Sequence, residues 1–377
     1  MKKILSMVTV VLFGVTAFGV SNAQTKAEKI AQAVLPLPEE LQAGAAVYEY
    51  NDDGQRMLLR GGSNHVECKP RDENGFTSCT SKQTAANRDY SAKLAAGGLE
   101  GEELQAAMRA AEEAGEVEPM PFGTMFYRLY EKDDRIQLLW VVFLPNATAD
   151  DLGMSLESQR DNSLAGMGRP WMMREGTPSA HLMIPINGTE LSNAGGAPDR
   201  MDTKSVTDLV VQGTLPLPAD LRDEAAVITY DDSGERQVLR DGNNMIECRA
   251  RDAVSGFTRC YHKSLGAETD MRAKLAAEGK SNEEIGAALT AARDSGAIPT
   301  APIGSIAYRL YEDDDRLKLL WVLRLPNATS VELGMPTGSQ RDNSLAGKGR
   351  PWMMREGTPA AHLMIPINST ELSNKAM

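Results

Sequence analysis

The chain contains one long stretch twice, once in each half. Residues 159–187 read QRDNSLAGMGRPWMMREGTPSAHLMIPIN, and residues 340–368 read QRDNSLAGKGRPWMMREGTPAAHLMIPIN. The copies differ at two positions, where Met167 and Ser179 of the first are Lys348 and Ala360 in the second. A match of this length identifies an internal repeat, which has to be recognised before any single motif is interpreted.

Shorter motifs extend the repeat on the N-terminal side of both copies. The motif LPLP at 35–38 returns at 215–218, YRLY at 127–130 returns at 308–311, and LPNAT at 144–148 returns at 325–329. The unit is far longer than a solenoid repeat, so we expect each copy to be a complete domain with its own core. The predicted organisation is a first repeat domain over 24–192, a linker over 193–202 and a second repeat domain over 203–377.

Within one copy, the pattern runs from strands to helices and back to strands. Alternating segments flank an Asn-Asp-Asp-Gly turn at 51–54, an Ala-, Glu- and Leu-rich stretch follows over 85–114, and the remaining apolar segments are short. Such an order is typical of α+β domains. We therefore predict two tandem homologous domains, each a mainly antiparallel sheet with a helical pair packed on one face. The predicted strands of the first copy cover 45–50, 55–60, 123–130, 135–144, 170–174 and 180–186.

Composition narrows the classes of partner. The chain has 377 residues, of which 42% are hydrophobic, and its formal net charge is -12. An acidic protein is a poor partner for nucleic acid, which attracts clustered Lys and Arg. Four histidines leave little material for a zinc or copper centre, and no P-loop, dinucleotide-binding or haem motif is present. We predict no cofactor, no metal and no nucleic acid.

The N-terminus has the three parts of a secretory signal peptide. Lys2 and Lys3 precede an apolar run over 4–20, which ends in Ser21-Asn22-Ala23. We predict a signal peptide over 1–23, cleaved after Ala23, and a periplasmic or secreted protein without an integral membrane segment. The alternative, a membrane anchor, is less consistent with a run that is short and includes Ser, Thr and Gly.

The cysteines occur as one pair in each copy, at similar separation. They are Cys68 with Cys79 and Cys248 with Cys260. A metal site would need four ligands, and a catalytic dithiol usually has C-x-x-C spacing, which is absent. In an exported protein, an even count at repeated spacing indicates disulfides. We predict one disulfide in each domain.

The densest set of polar residues lies in the duplicated stretch. The predicted ligand-binding residues are Arg160, Asp161, Trp171 and Arg174, with Arg341, Asp342, Trp352 and Arg355 in the second copy. A serine hydrolase is the alternative, with Ser163 as nucleophile, His181 as base and Asp161 or Glu175 as the orienting acid, repeated as Ser344, His362 and Asp342 or Glu356. No Gly-x-Ser-x-Gly elbow supports it.

Each of these residues also has a structural explanation. A histidine can be buried against a backbone carbonyl, an Arg-Glu pair can be a solvated turn, and tryptophan and methionine can be core. Polar loop residues such as Arg160 and Asp161 can bond their own backbone. The sequence leaves these explanations open beside the functional ones.

The segments LRGGSN at 59–64 and GTPSAHLMIP at 176–185, with Cys68 between them, carry a resemblance. In these motifs the chain resembles a group of exported bacterial proteins with a Gly-Thr-Pro-x-Ala-His segment, which form a domain of unknown function. The resemblance implies a secreted domain and supplies no catalytic residues. This chain departs from the group by its tandem duplication and by Arg174-Glu175 before the turn.

Taken together, these features predict an exported tandem-domain protein that binds a small molecule or an envelope or extracellular partner. Two copies of one site would offer avidity for a repeated ligand. Whether the chain is an enzyme is left open, with the hydrolase as the alternative.

Overall fold

The architecture comes from a computed structural model of the chain. The structure describes residues 25–72, 74–130, 138–158, 169–186, 206–252, 257–300, 302–311, 319–339 and 350–367. The predicted signal peptide and linker lie outside these residues. Among the described residues, no helix has both the length and the apolar character that crossing a bilayer requires.

The first repeat is a sheet of eight strands with helices at its faces. Its helices are α1 (Lys26–Ala33), α2 (Glu39–Gln42), α3 (Ala85–Ala96), α4 (Gly101–Glu113) and α5 (Ala149–Leu152). Its strands are β1 (Ala46–Tyr50), β2 (Arg56–Arg60), β3 (Val66–Lys69), β4 (Phe76–Ser81), β5 (Met125–Tyr130), β6 (Leu138–Phe143), β7 (Trp171–Met173) and β8 (His181–Pro185).

The second repeat has the same elements in the same order. Its helices are α6 (Val206–Thr214), α7 (Ala219–Arg222), α8 (Gly266–Ala277), α9 (Asn282–Asp294) and α10 (Ser330–Leu333). Its strands are β9 (Ala226–Tyr230), β10 (Arg236–Arg240), β11 (Ile246–Arg249), β12 (Thr258–His262), β13 (Ile306–Leu310), β14 (Leu319–Arg324), β15 (Trp352–Met354) and β16 (His362–Pro366).

Strand order is the same in the two sheets. In the first it is β2-β1-β3-β4-β5-β6-β8-β7, and in the second it is β10-β9-β11-β12-β13-β14-β16-β15. The β1–β3 and β9–β11 pairs are parallel and the other pairs are antiparallel. The prediction of two tandem α+β domains with mainly antiparallel sheets is therefore confirmed. The strands β3 and β4, which carry the cysteines, were not among the predicted ones.

A helical pair lies on one face of each sheet, which we call the outer face; in the first repeat it carries Glu67. The hydroxyl of Tyr50 on β1 donates to Asp89 on α3 at 2.7 Å. Arg56 bridges Glu67 and Asp89, each at 2.7 Å, and Arg88 also pairs with Glu67. These ion pairs attach α3 to the sheet and leave the nearly buried Glu67 compensated.

The predicted disulfides are confirmed in both repeats. Cys68 is bonded to Cys79, and Cys248 is bonded to Cys260. Each bond joins directly paired residues of neighbouring strands, β3 with β4 and β11 with β12. The four cysteines are fully buried on the face opposite the helical pair, which we call the inner face.

The two inner faces share one core. A single cluster of buried side chains contains Trp140 and Leu152 of the first repeat together with Trp321 and Leu333 of the second. A Cβ at Gly123 would lie 2.9 Å from Leu333, so the repeats approach closely there. The expectation that each repeat has its own core is therefore wrong for this cluster, because the duplicated units bury their inner faces against each other.

Candidate functional site

The described part of the duplicated stretch, 169–186 in the first repeat and 350–367 in the second, contains a hairpin at one edge of each sheet, as its turn residues predict. In the first repeat, β7 pairs with β8, so that Trp171 lies beside Met183 and Met173 beside His181. Trp171 and its counterpart Trp352 are fully buried on the outer face. Both predicted ligand-binding tryptophans are thus core residues.

The two predicted histidines have similar backbone bonds and different neighbours. Nδ1 of His181 lies 2.8 Å from the carbonyl oxygen of Ser179, and Nδ1 of His362 lies 2.7 Å from that of Ala360. His181 stacks on Phe143 with ring centroids 5.6 Å apart. His362, by contrast, is paired across the sheet with Arg324.

The predicted acids Glu175 and Glu356 cap short helices. A carboxylate oxygen of Glu175 accepts the backbone N–H of Ala149 at 2.8 Å, and one of Glu356 accepts that of Ser330 at 2.7 Å. These N–H groups begin α5 and α10, where no helical carbonyl is available to them. Both acids therefore hold their turn against the adjoining helix.

The preceding residues Arg174 and Arg355 are exposed and have a left-handed backbone, each with φ of 54°. The turn sets their position. The hydroxyl of Thr177 donates to the carbonyl oxygen of Arg174 at 2.7 Å, and that of Thr358 donates to the carbonyl oxygen of Arg355 at 2.7 Å. The remaining predicted residues lie outside the described part of the chain: Arg160, Asp161, Ser163, Arg341, Asp342 and Ser344. The hydrolase arrangement, which depends on the two serines, stays a prediction.

The outer face of the second sheet carries three arginines on adjacent strands, a set that we call the arginine row. Arg249 on β11 is paired directly with Arg259 on β12, which is paired directly with Arg309 on β13. Directly paired residues point to the same face of a sheet, and neighbouring strands are about 4.8 Å apart. Three cationic side chains are therefore lined up across about 10 Å of the sheet.

Two members of the row stand out because no described residue gives them a hydrogen-bond or ion-pair partner. Arg259 and Arg309 form no hydrogen bond and no ion pair with the described residues, and Nε of each is shielded from solvent. Burial, with the repulsion of Arg309, lowers the pKa of Arg259 to about 10. Arg259 is still charged at neutral pH, so the fold holds two like charges side by side in a half-buried position, which costs free energy.

The described carboxylates near the row are few. Asp252 lies 3.8 Å from Arg249. Glu268 on α8 faces Arg259, but at 3.2 Å it is already paired with Arg293 on α9. Burial acts to raise the pKa of Glu268, but the charges of Arg293, Arg324 and Arg259 outweigh it, so the pKa is lowered. Positive charge is therefore in excess at this face among the described residues.

A fourth arginine, Arg324, lies on the same face as the row, on β14. Arg324 on β14 lies opposite His362, and Arg309 is close enough to act on the same imidazole. Burial, followed by the charges of Arg309, Arg355 and Arg324, lowers the pKa of His362. The predicted residue His362 is thus part of the electrostatic environment of the row, whereas Glu356 and Trp352 are structural.

The first repeat carries less of this charge. The positions of the arginine row hold Lys69, Ser78 and Arg128 there, which are paired across β3, β4 and β5 in the same register. Phe143 takes the place of Arg324. Arg128 has rings of Phe76 and Phe126 on either side, each 6.0 Å away. Arginines of the second repeat also lie over rings, with Arg249 5.4 Å from Tyr230 and Arg259 5.1 Å from Tyr261. The difference between the repeats is therefore the third cation, since Ser78 separates Lys69 from Arg128 where Arg259 separates Arg249 from Arg309.

A cavity of about 330 Å³ adjoins the row between the β9–β10 hairpin and α8–α9. Arg249 of the row lines it together with Arg272 of α8. The charge of Arg272 also acts on Arg259, so the cavity and the row belong to one positively charged region. The combination of cationic groups and a concave surface is what a small anion requires.

Motif searching missed this site because its members are far apart in the sequence. Arg259 comes ten positions after Arg249, inside the segment that the Cys248–Cys260 disulfide closes, and Arg309 comes after the whole helical pair. The available signal was the comparison of the copies, since Ser78 against Arg259 and Phe143 against Arg324 are large changes at matched positions. No group of three or more His, Cys, Asp and Glu that could hold a metal is present in the part that the structure describes.

Comparison with known proteins gives no relative. No family model, no curated protein and no solved structure matches the chain.

Proposed function

We propose that this protein is a ligand-binding module, exported from the cell, whose second repeat binds an anionic ligand at the arginine row. The observation that carries the proposal is the pair Arg259 and Arg309, adjacent, half-buried and without a hydrogen-bond or ion-pair partner among the described residues. An anion bound there would relieve the repulsion and satisfy the guanidinium donors.

The chemistry of the row favours a carboxylate or a phosphate group. A guanidinium presents its donors in a planar fork that matches both groups, and it does so more specifically than a lysine. The partial burial of Arg259 strengthens each charge-assisted bond, because fewer water molecules compete for the donors. The net charge of the chain is -12, so its long-range field repels anions and the attraction has to come from the local cluster of arginines.

Export rests on the predicted signal peptide over 1–23 and agrees with two disulfides, which persist in oxidising compartments. An extracellular or periplasmic ligand is therefore the kind that we propose.

The test is calorimetric titration of the protein with inorganic phosphate and with acetate at low salt. The key variant is Arg259→Ser, because serine is the residue of the first repeat at this position and fits the same strand pairing. We expect phosphate to bind the natural protein and the variant to bind at least about tenfold more weakly, since a lost charge-assisted bond of about 1.5 kcal/mol corresponds to that factor.

The matched control is Arg109→Ser, which removes the same charge from the exposed surface of α4. It should bind phosphate as the natural protein does. Absence of phosphate and acetate binding by the natural protein, or equal loss in both variants, would overturn the proposal.

A further inference from the structure

The cavity beside the arginine row has walls of three chemical kinds. Its cationic lining is Arg249 and Arg272. Its apolar lining is small, with the exposed Ala276 and Ala277 and the half-buried Ala273 of α8 beside the buried Ile285 of α9. Its other polar residues are the exposed Asp232 and Asn282, together with Asp231, whose carboxylate already accepts the N–H groups of Ser233 and Glu235.

The small alanine side chains leave room for a compact molecular body. A Cβ at Gly234 would lie 2.7 Å from the carbonyl oxygen of Ala273, so the hairpin packs on α8 at the edge of the cavity and fixes its wall. A volume of about 330 Å³ is at the lower end of the range for small-molecule sites, which is about 300–1,000 Å³.

The exposed polar residues of the cavity suit hydroxyls. A carboxylate such as that of Asp232 only accepts hydrogen bonds, and the amide of Asn282 both donates and accepts. Hydroxyl groups can hydrogen-bond with both, whereas a plain hydrocarbon body would make no hydrogen bond with either. The ring of Tyr230, whose hydroxyl is already bonded to Asp270 at 2.6 Å, presents an apolar surface to the same cavity.

We infer that the cavity binds a small polyhydroxylated organic anion, such as a sugar acid or a sugar phosphate. Its charged group lies at the Arg249 end of the arginine row, where Arg272 adds a further cation, and its hydroxylated body lies beside the alanines of α8. This inference rests on the proposed function, because it assigns the body of the ligand whose charge the arginine row attracts.

The first repeat differs at the positions that matter. The equivalent helices of the two repeats have the same lengths, so their residues can be matched one by one. Ser91 is at the position of Arg272, and Gly101 is at the position of Asn282. Lys69 keeps the positive charge of Arg249 there, so the features special to the second repeat are the second cation, Arg272, and the amide of Asn282. The inferred site is one per chain.

The test compares three probes by calorimetry on the full chain: D-glucuronate, acetate and D-glucose. Glucuronate carries both the carboxylate and the hydroxylated body, and the other two carry one each. We expect glucuronate to bind at least about tenfold more tightly than either acetate or glucose, because hydrogen bonds to hydroxyls add to the charge contact.

The deciding variant is Ala276→Leu, which fills the cavity from an exposed helical position where leucine is well tolerated. It should reduce glucuronate affinity at least about tenfold and reduce acetate and phosphate affinity by a clearly smaller factor, because only glucuronate needs the space that leucine fills. Thermal unfolding of the variant confirms that it is folded.

The failures of the two proposals are distinguishable. If acetate and phosphate bind but glucuronate binds no more tightly, or if Ala276→Leu does not affect glucuronate, the inference about the cavity is overturned and anion binding stands. If none of the anions binds the natural protein, both proposals are wrong.

Discussion

Tyr127 and Tyr308, which hold equivalent places in the two repeats, each donate a hydrogen bond into the other repeat. The hydroxyl of Tyr127 donates to the carbonyl oxygen of Gly334 at 2.6 Å, and that of Tyr308 donates to the carbonyl oxygen of Gly153 at 2.6 Å. Both rings are fully buried, and both carbonyls follow a short helix at its left-handed C-terminal glycine. The exchange is reciprocal, as in a dimer interface with two-fold symmetry.

Removing one of these hydroxyls should destabilise the whole chain. Tyr127→Phe leaves the buried carbonyl of Gly334 without its partner, which costs about 1–3 kcal/mol of unfolding free energy. Denaturant unfolding of Tyr127→Phe and Tyr308→Phe should give similar losses. The matched control is Tyr90→Phe, whose hydroxyl bonds Glu116 at the exposed surface, and its loss should be within about 0.5 kcal/mol. Equal losses in all three variants would contradict a special role for the inter-repeat bonds.

The carboxylate of Glu356 should stabilise the protein as a helix cap. Hydrogen bonds from Ser330 hold the pKa of Glu356 below its usual 4.5. A lowered pKa in the folded state means that the stabilisation is present above about pH 4.5 and is lost as the pH falls through the folded value. Glu356→Gln should cost about 1 kcal/mol at pH 7 and less at pH 3. Unfolding curves at the two pH values check this, and a cost that grows in acid would contradict it.

The imidazole of His362 should report on its arginine neighbours. Its pKa lies below the usual 6.5 because of burial and then of Arg309, Arg355 and Arg324. Since the unfolded chain takes up the proton first, His362 contributes stability above pH 6.5 that is lost as the pH falls toward its folded pKa. Arg324→Gln removes one cation and should raise the pKa of His362, as followed by NMR titration of the histidine C–H signals.

His181 provides the internal control for that titration. It holds the same place in the first repeat but lies opposite Phe143 instead of an arginine. Its titration should be unchanged by Arg324→Gln. A shift of both histidines, or no shift of His362, would show that Arg324 does not act on His362 directly.

Each disulfide should contribute to stability separately. The bonded cysteines are 11 residues apart in the first repeat and 12 in the second. Closing such loops restricts the unfolded chain and contributes about 3 kcal/mol in the chain-entropy estimate. Replacing both Cys68 and Cys79 by alanine should lower the unfolding free energy by about this amount. Reductant should destabilise the natural protein further than this variant, and equal effects would contradict two independent contributions.

Local patterns predict much of this fold. The alternation around residues 51–54 predicts the first hairpin, the Ala-rich stretch over 85–114 predicts α3 and α4, and the cysteine spacing predicts both disulfides. These features depend on neighbours in sequence, so a single chain reveals them. The inner faces are different, because a buried apolar surface such as that of Trp140 does not say which partner covers it.

The candidate site was predictable only in part. His362 was singled out, but Glu356 and Trp352 beside it turned out to serve a helix end and the core. The arginine row depends on the register of three strands, in which Arg249, Arg259 and Arg309 become neighbours. Register is set when the sheet folds, so the spacing of residues along the chain does not show which residues of different strands will be paired.

Fusion of the two halves into one chain has a consequence for how this site can change. In an assembly of two identical chains, any substitution appears at both equivalent positions. The repulsion within a like-charged set such as Arg249, Arg259 and Arg309 would then destabilise both sheets. Here the first repeat keeps Ser78 between Lys69 and Arg128, and its intact inner face supports the shared core. One half can therefore serve as the stable scaffold while the other tolerates the repulsion that a binding surface needs.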